Sequence, residues 1–449
     1  MIRLPAFASS WIGRDPWGQV FLGLVLLWTL TMALSIAVAE LALWSSALVW
    51  GMNWLRLELL QSGEAPEPPA RGPAGDVFSL IGTPLMAFWG VSLISALASR
   101  DPVDSVWELR EVFLFAAPLV TYLAYRHPRM RSLGLRVFGI GIAGAILIGL
   151  AGTLMAMQRG EFPGSYRPDG TLGHYMTYAG ALMLAIPVLL VLREAVTGMW
   201  QRTVALGAVV MVGFTMTRSA WIGCVAGLGV YVLARFVRGR EPNGGPPPRR
   251  WALYGVPLMI MAIVAVLVLL SLAGSEALYK RGASVFSLDN PTNVDRLAMA
   301  ATGLRIIKAH PLLGIGPGLM GRVYPAWRVD WAVKENNPHL HNDALQIAAE
   351  RGLIGLAMWL WLMASIAVGA WRVLRHSGPF GEGGPEARAA LAALAAFLTM
   401  GLFEYNFSDS EVLMILLYAA ALPFAASAGI VLRRSHGGDG NGGGSGTTL

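Results

Sequence analysis

Of the 449 residues, 55% are hydrophobic and only 14% are charged. No single soluble core of this length would bury so much apolar surface, so an ordinary water-soluble globular protein is excluded and lipid must solvate most of the chain. The formal net charge of +7 does not indicate nucleic acid, because the basic residues lie in short flanks between apolar runs rather than on one patch.

Apolar runs of roughly 17–25 residues predict spans at 17–37, 40–57, 77–98, 109–126, 134–157, 175–193, 202–217, 219–237, 251–273, 352–374, 388–406 and 412–432. The fold class that follows is an all-α polytopic membrane protein of about twelve transmembrane helices. Only Glu40 divides the first two spans. The first run carries no A-x-A-like cleavage pattern and reads as a retained anchor rather than a removable signal peptide. With the N-terminus in the cytoplasm, most of the Arg and Lys fall in inside segments. Outside, apart from the loop 274–351, only Arg100, Arg110, Arg159, Arg167 and Arg218 remain. This asymmetry predicts that both termini are cytoplasmic. The Pro- and Gly-rich stretches 64–75 and 241–250 and the Gly-rich tail after His436 have linker composition and cannot pack a core. One cysteine, Cys224, provides neither a disulfide framework nor a cysteine-based metal site. The organisation is therefore spans one to nine over 1–273, a large outer loop over 274–351, three further spans over 352–432 and a tail over 433–449.

The loop 274–351 is too long and too patterned for a connector, and is expected to fold. Leu297, Ala300, Ala301, Leu304 and Ile307 recur at helical spacing in a segment that stops at His310-Pro311. The LLGIGPG that follows reads as a turn. Its Gly314, Gly316 and Gly318 come after a helix and precede none, which argues against a nucleotide-binding cradle. A second helix is predicted to start at Pro338, with Ala344, Leu345, Ala348 and Ala349 on its buried face, and to feed into the span that begins near Gly352.

His341 lies near the start of that helix, where the dipole favours a neutral imidazole usable as a general base. The plainer alternative is that His339 and His341 cap or cross-link the loop. A metal set of His339, His341 and Asp343 has the right spacing but no further His or Cys to complete it, so no metal is expected. Arg218 falls at the outer membrane surface, where a charge is costly unless paired or functional, although a snorkelling side chain would also fit. Arg296 has Asp295 beside it and could form a simple surface ion pair. Together, two guanidinium forks suit a diphosphate, and a neutral histidine suits a hydroxyl nucleophile. Tyr166 and Arg167 in GSYRPDG, His174, and the outer cluster Glu404, Asn406 and Asp409 are secondary candidates, structural or substrate-positioning.

These residues resemble the O-antigen ligase and polymerase superfamily, most closely the lipopolysaccharide O-antigen ligases. The ligase signature is a His followed by Asn, Ser or Gln, nine residues and Gly-x-x-Gly, which His341, Asn342, Gly352 and Gly355 satisfy. TRSAWIG with Arg218, and Arg296 upstream of a PLxGxGxG turn at Pro311, also match, so the likeness covers roughly residues 160–405. The resemblance implies a GT-C-like membrane glycosyltransferase with a helical periplasmic loop domain. Its activity would be inverting, metal-independent transfer of O-antigen glycan from undecaprenyl diphosphate to a lipid A-core sugar hydroxyl, at the periplasmic face of the bacterial inner membrane. By the same likeness His341 is the catalytic base, with Asn342 beside it in the motif, and Arg218 and Arg296 bind the donor diphosphate. No cofactor and no nucleic acid are implied; the partners are the lipid-linked donor, the lipid acceptor and membrane lipids. O-antigen polymerase and protein O-oligosaccharyltransferase are the sister activities. A transporter or flippase would be expected to show paired broken helices or ionisable residues at the bilayer midplane, whereas the charges here sit at span ends.

Overall fold

The computed structural model describes residues 16–60, 78–162, 165–195, 200–237, 239 and 291–437. The predicted span 251–273, the linkers 64–75 and 241–250, and most of the Gly-rich tail lie outside the described residues. The order is α1 (Pro16–Thr31), α2 (Ile36–Leu60), α3 (Thr83–Leu97), α4 (Pro102–Trp107), α5 (Ala117–Tyr125), α6 (Pro128–Gln158), α7 (Tyr175–Ala195), α8 (Trp200–Phe214) and α9 (Arg218–Leu233). It continues with α10 (Pro291–Ala309), α11 (Met320–Trp327), α12 (Asp343–Ser377), α13 (Gly384–Met400) and α14 (Ser410–Gly437). No strand occurs among the described residues. Six helical stretches among them, Ile36–Arg56, Leu80–Leu97, Pro128–Gln158, Arg218–Phe236, Asp343–Ser377 and Ser410–Ala428, are long and apolar enough to cross a membrane; Pro16–Thr31, Tyr175–Val191 and Trp200–Phe214 are shorter apolar helices. Among the described residues the fold is all-helical, and six of the twelve predicted spans are helices of membrane-crossing length, as a polytopic membrane protein requires.

Several predicted spans are trimmed for local reasons. The stretch predicted as a span over 109–126 is a 3-10 helix at Glu108–Ala116 followed by α5, which starts where Pro118 can occupy the first helical turn. α8 stops at Phe214 because Met216 turns into the left-handed region at φ 55°. The span predicted to reach 406 ends at Met400, where the chain enters the turn 401–409.

α14 is the central post of the bundle: 94% of its apolar window is buried inside the protein, against α5, α7, α12 and α13. Tyr418 meets Trp28 and Tyr125 edge-on and stacks on Phe138. α9 lies hard against α13, because a Cβ at Gly223 would come within 2.9 Å of the Ala396 carbonyl and one at Gly227 within 2.8 Å of the Ala392 carbonyl. This is the small-residue approach used by helices in lipid, where no hydrophobic force drives them together. The contact also carries the start of α9, with Arg218, towards the end of α13 and the turn 401–409.

Of the predicted loop 274–351, the described part from residue 291 holds α10 and α11. Met299, Ile306, Ile315, Met320, Tyr324, Leu340 and Ala349 form a second apolar core beneath α10 and α11. On α10, Asp295, Ala298, Met299, Thr302 and Ile306 face inward, while Leu297 and Leu304 of the helically spaced set are half exposed. Leu297 and Ala300 border a cavity instead. The glycine-rich turn packs on α12 at its break. Gly352 has φ 69° and ψ −178° inside α12, a conformation essentially reserved for glycine, and the Leu353 amide donates to the Pro311 carbonyl at 2.8 Å. The amides of Ile315 and Gly316 donate to the carbonyls of Ala349 and Glu350, and those of Gly318 and Met320 to the Glu350 carboxylate. The turn leads straight into α11 at Met320, contrary to the expectation that no helix follows its glycines, and its amides are taken up by the Glu350 side chain of the same chain.

Candidate functional site

The segment His341-Asn342-Asp343 precedes α12 and follows α10 and α11. His341 adopts φ 48°, and the Asn342 side chain caps the helix by accepting from the Leu345 amide at 2.9 Å, satisfying one of the orphan donors of the first turn. The helix thus begins at Asp343 rather than at Pro338, the start predicted from the proline. All three side chains fasten onto the turn 401–409 between α13 and α14. Asn342 Nδ2 donates to the Leu402 carbonyl at 3.0 Å. The buried Asp343 Oδ1 accepts from the Asn406 and Phe407 amides at 2.9 and 3.1 Å. His341 Nδ1 lies 2.7 Å from Glu404 Oε2.

Glu404 has a second partner, since its Oε1 accepts from Arg296 Nη2 at 2.7 Å. Its side chain is only 6% exposed, against 25% for His341 and 27% for Arg296. One nearly buried carboxylate therefore joins the histidine to the arginine. Placing the Nδ1 proton in the bond to Glu404 leaves Nε2 with its lone pair, the form that accepts a proton from an incoming group. Asp295 does not compete for Arg296: it is buried, 3.4 Å from Asn337 Nδ2 and 3.8 Å from Lys334 Nζ.

Arg218, Arg296 and His341 line a single cavity of about 410 Å³. Asn293 and Asn342 add amides, and Ile222, Leu297, Leu340, Leu345, Leu402 and Phe403 form its apolar wall. Two cations, a histidine and an apolar wall suit an anionic amphiphile.

The secondary candidates gather around this centre in supporting positions. Arg167 Nε donates to the Thr215 carbonyl at 2.7 Å and its Nη2 to Thr217 Oγ1 at 3.2 Å, with its guanidinium 3.4 Å from the Tyr175 ring centroid. It staples the turn that presents Arg218. Tyr166 packs beside Ala156, Phe162 and Met216 below that turn, and burial, with Asp169 adding to it, pushes its phenol up. His174 stacks on Tyr175 at 4.8 Å. Partial desolvation holds its imidazole below the ordinary value; Glu404 pulls upward, and Arg167 and His341 add to the lowering. His339 is exposed, 6.0 Å from the Tyr405 ring and 6.2 Å from the His341 ring, so His341 is the histidine joined to the carboxylate. Asp409 accepts from Thr177 at 3.2 Å; burial first, then Glu411, raises its carboxyl to about 7. Among the described residues no group of three or more His, Cys, Asp or Glu could hold a metal ion, so His339, His341 and Asp343 do not converge.

Sequence reading grouped Glu404 with the positioning candidates but gave no sign of its partners, and it missed the clamp made by Asp343. The available signal was a run of polar and acidic residues, EYNFSDSE, directly after an apolar span. Residues 203–360 match a family model described as O-antigen ligase, a stretch that holds Arg218, Arg296 and His341 but stops short of Glu404. No curated protein matches the chain.

Proposed function

The match over residues 203–360 supports membership of the O-antigen ligase family, and from that premise we propose an inverting, metal-independent glycosyltransferase that moves O-antigen glycan from undecaprenyl diphosphate to a lipid A-core hydroxyl. The family points to an O-antigen ligase or polymerase type of function, acting on a lipid-linked glycan and a lipid acceptor. The observation that carries the finer reading is the cavity shared by Arg218, Arg296 and His341, with Glu404 bridging the last two.

In this reading His341 Nε2 takes the proton of the acceptor hydroxyl as that oxygen attacks the anomeric carbon from the face opposite the diphosphate. The new C–O bond forms while the bond to the diphosphate oxygen breaks, and the leaving group departs with the electron pair. The anomeric configuration inverts. Arg218 and Arg296 neutralise the departing diphosphate, the task a divalent ion performs in other diphosphate chemistry. Glu404 holds the histidine in one tautomer and stabilises its protonated form. It also keeps Arg296 from swinging to solvent. The apolar wall of Ile222, Leu297, Leu402 and Phe403 takes the first isoprene units of the donor. The excess of basic residues on the opposite flanks supports a site on the periplasmic face of the inner membrane and cytoplasmic termini.

The test is transfer by the purified protein from undecaprenyl-diphosphate glycan to lipid A-core. His341→Ala, Arg218→Ala and Arg296→Ala should abolish it while His339→Ala does not, and EDTA should leave the rate unchanged. An active His341→Ala variant would remove the general-base role. Extension of a second undecaprenyl-linked glycan, in place of lipid A-core, would assign the polymerase activity instead.

A further inference from the structure

A second cationic cavity lies at the other end of α12. From Gly352 to Ser377 this helix rises about 37 Å at about 1.5 Å per residue, more than the hydrocarbon thickness of about 30 Å. That length suffices to set its two ends at opposite membrane faces, His341 at one and a cavity of about 630 Å³ at the other. Arg372, Arg375 and His376 border that cavity, with Trp371 at its rim and Leu80, Val373 and Phe424 as its apolar part. Spacings of three and four residues place Arg372, Arg375 and His376 on one face of the helix.

The charge at this cavity is not balanced from within the described residues. Nearby on the same face, Arg131 is bound to Glu386 at 3.1 Å and Glu382 at 3.7 Å, and Arg235 and Arg388 lie over the Phe380 ring. Arg372 and Arg375 are exposed, and among the described residues neither forms an ion pair or hydrogen bond. The carbonyl end of α12 carries only about half a negative charge, less than the two guanidiniums supply.

We propose that this cavity binds the phosphate of an anionic phospholipid from the leaflet opposite the histidine. The two guanidiniums provide forked donors for phosphate oxygens, and basic pockets between transmembrane helices suit such head groups. The apolar part takes the glycerol and upper acyl region, which a free phosphate would leave unfilled. A zwitterionic head group would bring its own cation against Arg372 and Arg375, so an anionic lipid is preferred. Trp371, 47% exposed, sits where an aromatic ring favours the interface.

The experiment is native mass spectrometry of the full chain in detergent, titrated with phosphatidylglycerol or with phosphatidylcholine of matched acyl chains. Wild type should retain one phosphatidylglycerol, Arg372→Gln/Arg375→Gln should bind it about tenfold or more weakly, and Arg136→Gln, a basic change outside the cavity, should retain it. Equal retention by the double variant, equal loss in Arg136→Gln, equal binding of phosphatidylcholine, or displacement by millimolar inorganic phosphate would each overturn the proposal. A fluorescence arm does not depend on the double variant folding: brominated phosphatidylglycerol should quench wild type more than Trp371→Phe. Equal quenching of the two would refute the placement of the lipid in this cavity.

Discussion

Replacing Glu404 with Gln tests the carboxylate bridge more sharply than removing the histidine. The two oxygens of Glu404 each accept one hydrogen bond at 2.7 Å, from His341 and from Arg296. A glutamine amide of the same shape has one acceptor, and its NH2 group must face one of the two donors. One charge-assisted hydrogen bond is therefore lost whichever way the amide settles, worth about 1.5–3 kcal/mol. At about 1.4 kcal/mol per factor of ten in rate, kcat should fall about 10- to 200-fold. The assay is transfer from undecaprenyl-diphosphate glycan to lipid A-core by purified protein with matched melting temperatures. Because part of the carboxylate's effect runs through the imidazole, with the rest through Arg296, the loss on adding Glu404→Gln to His341→Ala should be smaller than the loss on adding it to wild type. Full multiplicative loss in the double variant, or a Glu404→Gln enzyme with unchanged kcat, would refute the bridge as a functional unit.

Three further perturbations probe the frame around the site. Arg167→Ala should slow transfer by loosening the turn 215–217, and Arg167→Lys should not restore it, because a lysine cannot reproduce two directed hydrogen bonds and the stack on Tyr175; no added loss is expected when Arg218→Ala is already present. Gly352→Ala meets a left-handed φ and a Cβ collision with the Leu312 carbonyl, so a loss of about 1–3 kcal/mol or more should appear as a lowered melting temperature; a wild-type melting curve would contradict the packing of the glycine turn on α12. Asp409 should make stability depend on pH. Its folded-state value of about 7 lies above the ordinary 3.8, so the folded state holds a proton that the unfolded chain releases, and stability falls as pH climbs from about 4 towards 7. Asp409→Asn should flatten that slope in thermal denaturation, and an unchanged slope would show that Asp409 is not its source.

The parts of this protein legible in its sequence are those set by local composition. Apolar runs located the six described helices of membrane-crossing length, because length and hydropathy suffice for such helices, and the helix from Asp295 to His310 announced itself by spacing and by its terminal proline. The start of α12 was misplaced because Pro338 is a generic start signal, while the actual one, the Asn342 side chain on the Leu345 amide, competes with it from a few residues away. Leu297 and Ala300 of the helically spaced set border a cavity, and periodicity cannot distinguish a residue facing a core from one facing a binding site. Arg218, Arg296 and His341 were selectable one by one, as costly groups at the membrane surface or members of a spaced motif. What joins two of them was not, because Glu404 follows His341 by 63 positions, across the hairpin of α12 and α13, whose register no local pattern encodes. That register is set by contacts such as Gly223 and Gly227 against α13 and by Asp343 gripping the amides of Asn406 and Phe407. The motif His-Asn followed by Gly-x-x-Gly accordingly has a mechanical content: Asn342 starts the helix, Gly352 breaks it where the glycine turn docks, and the segment before the break is held at a fixed distance from the turn that delivers Glu404.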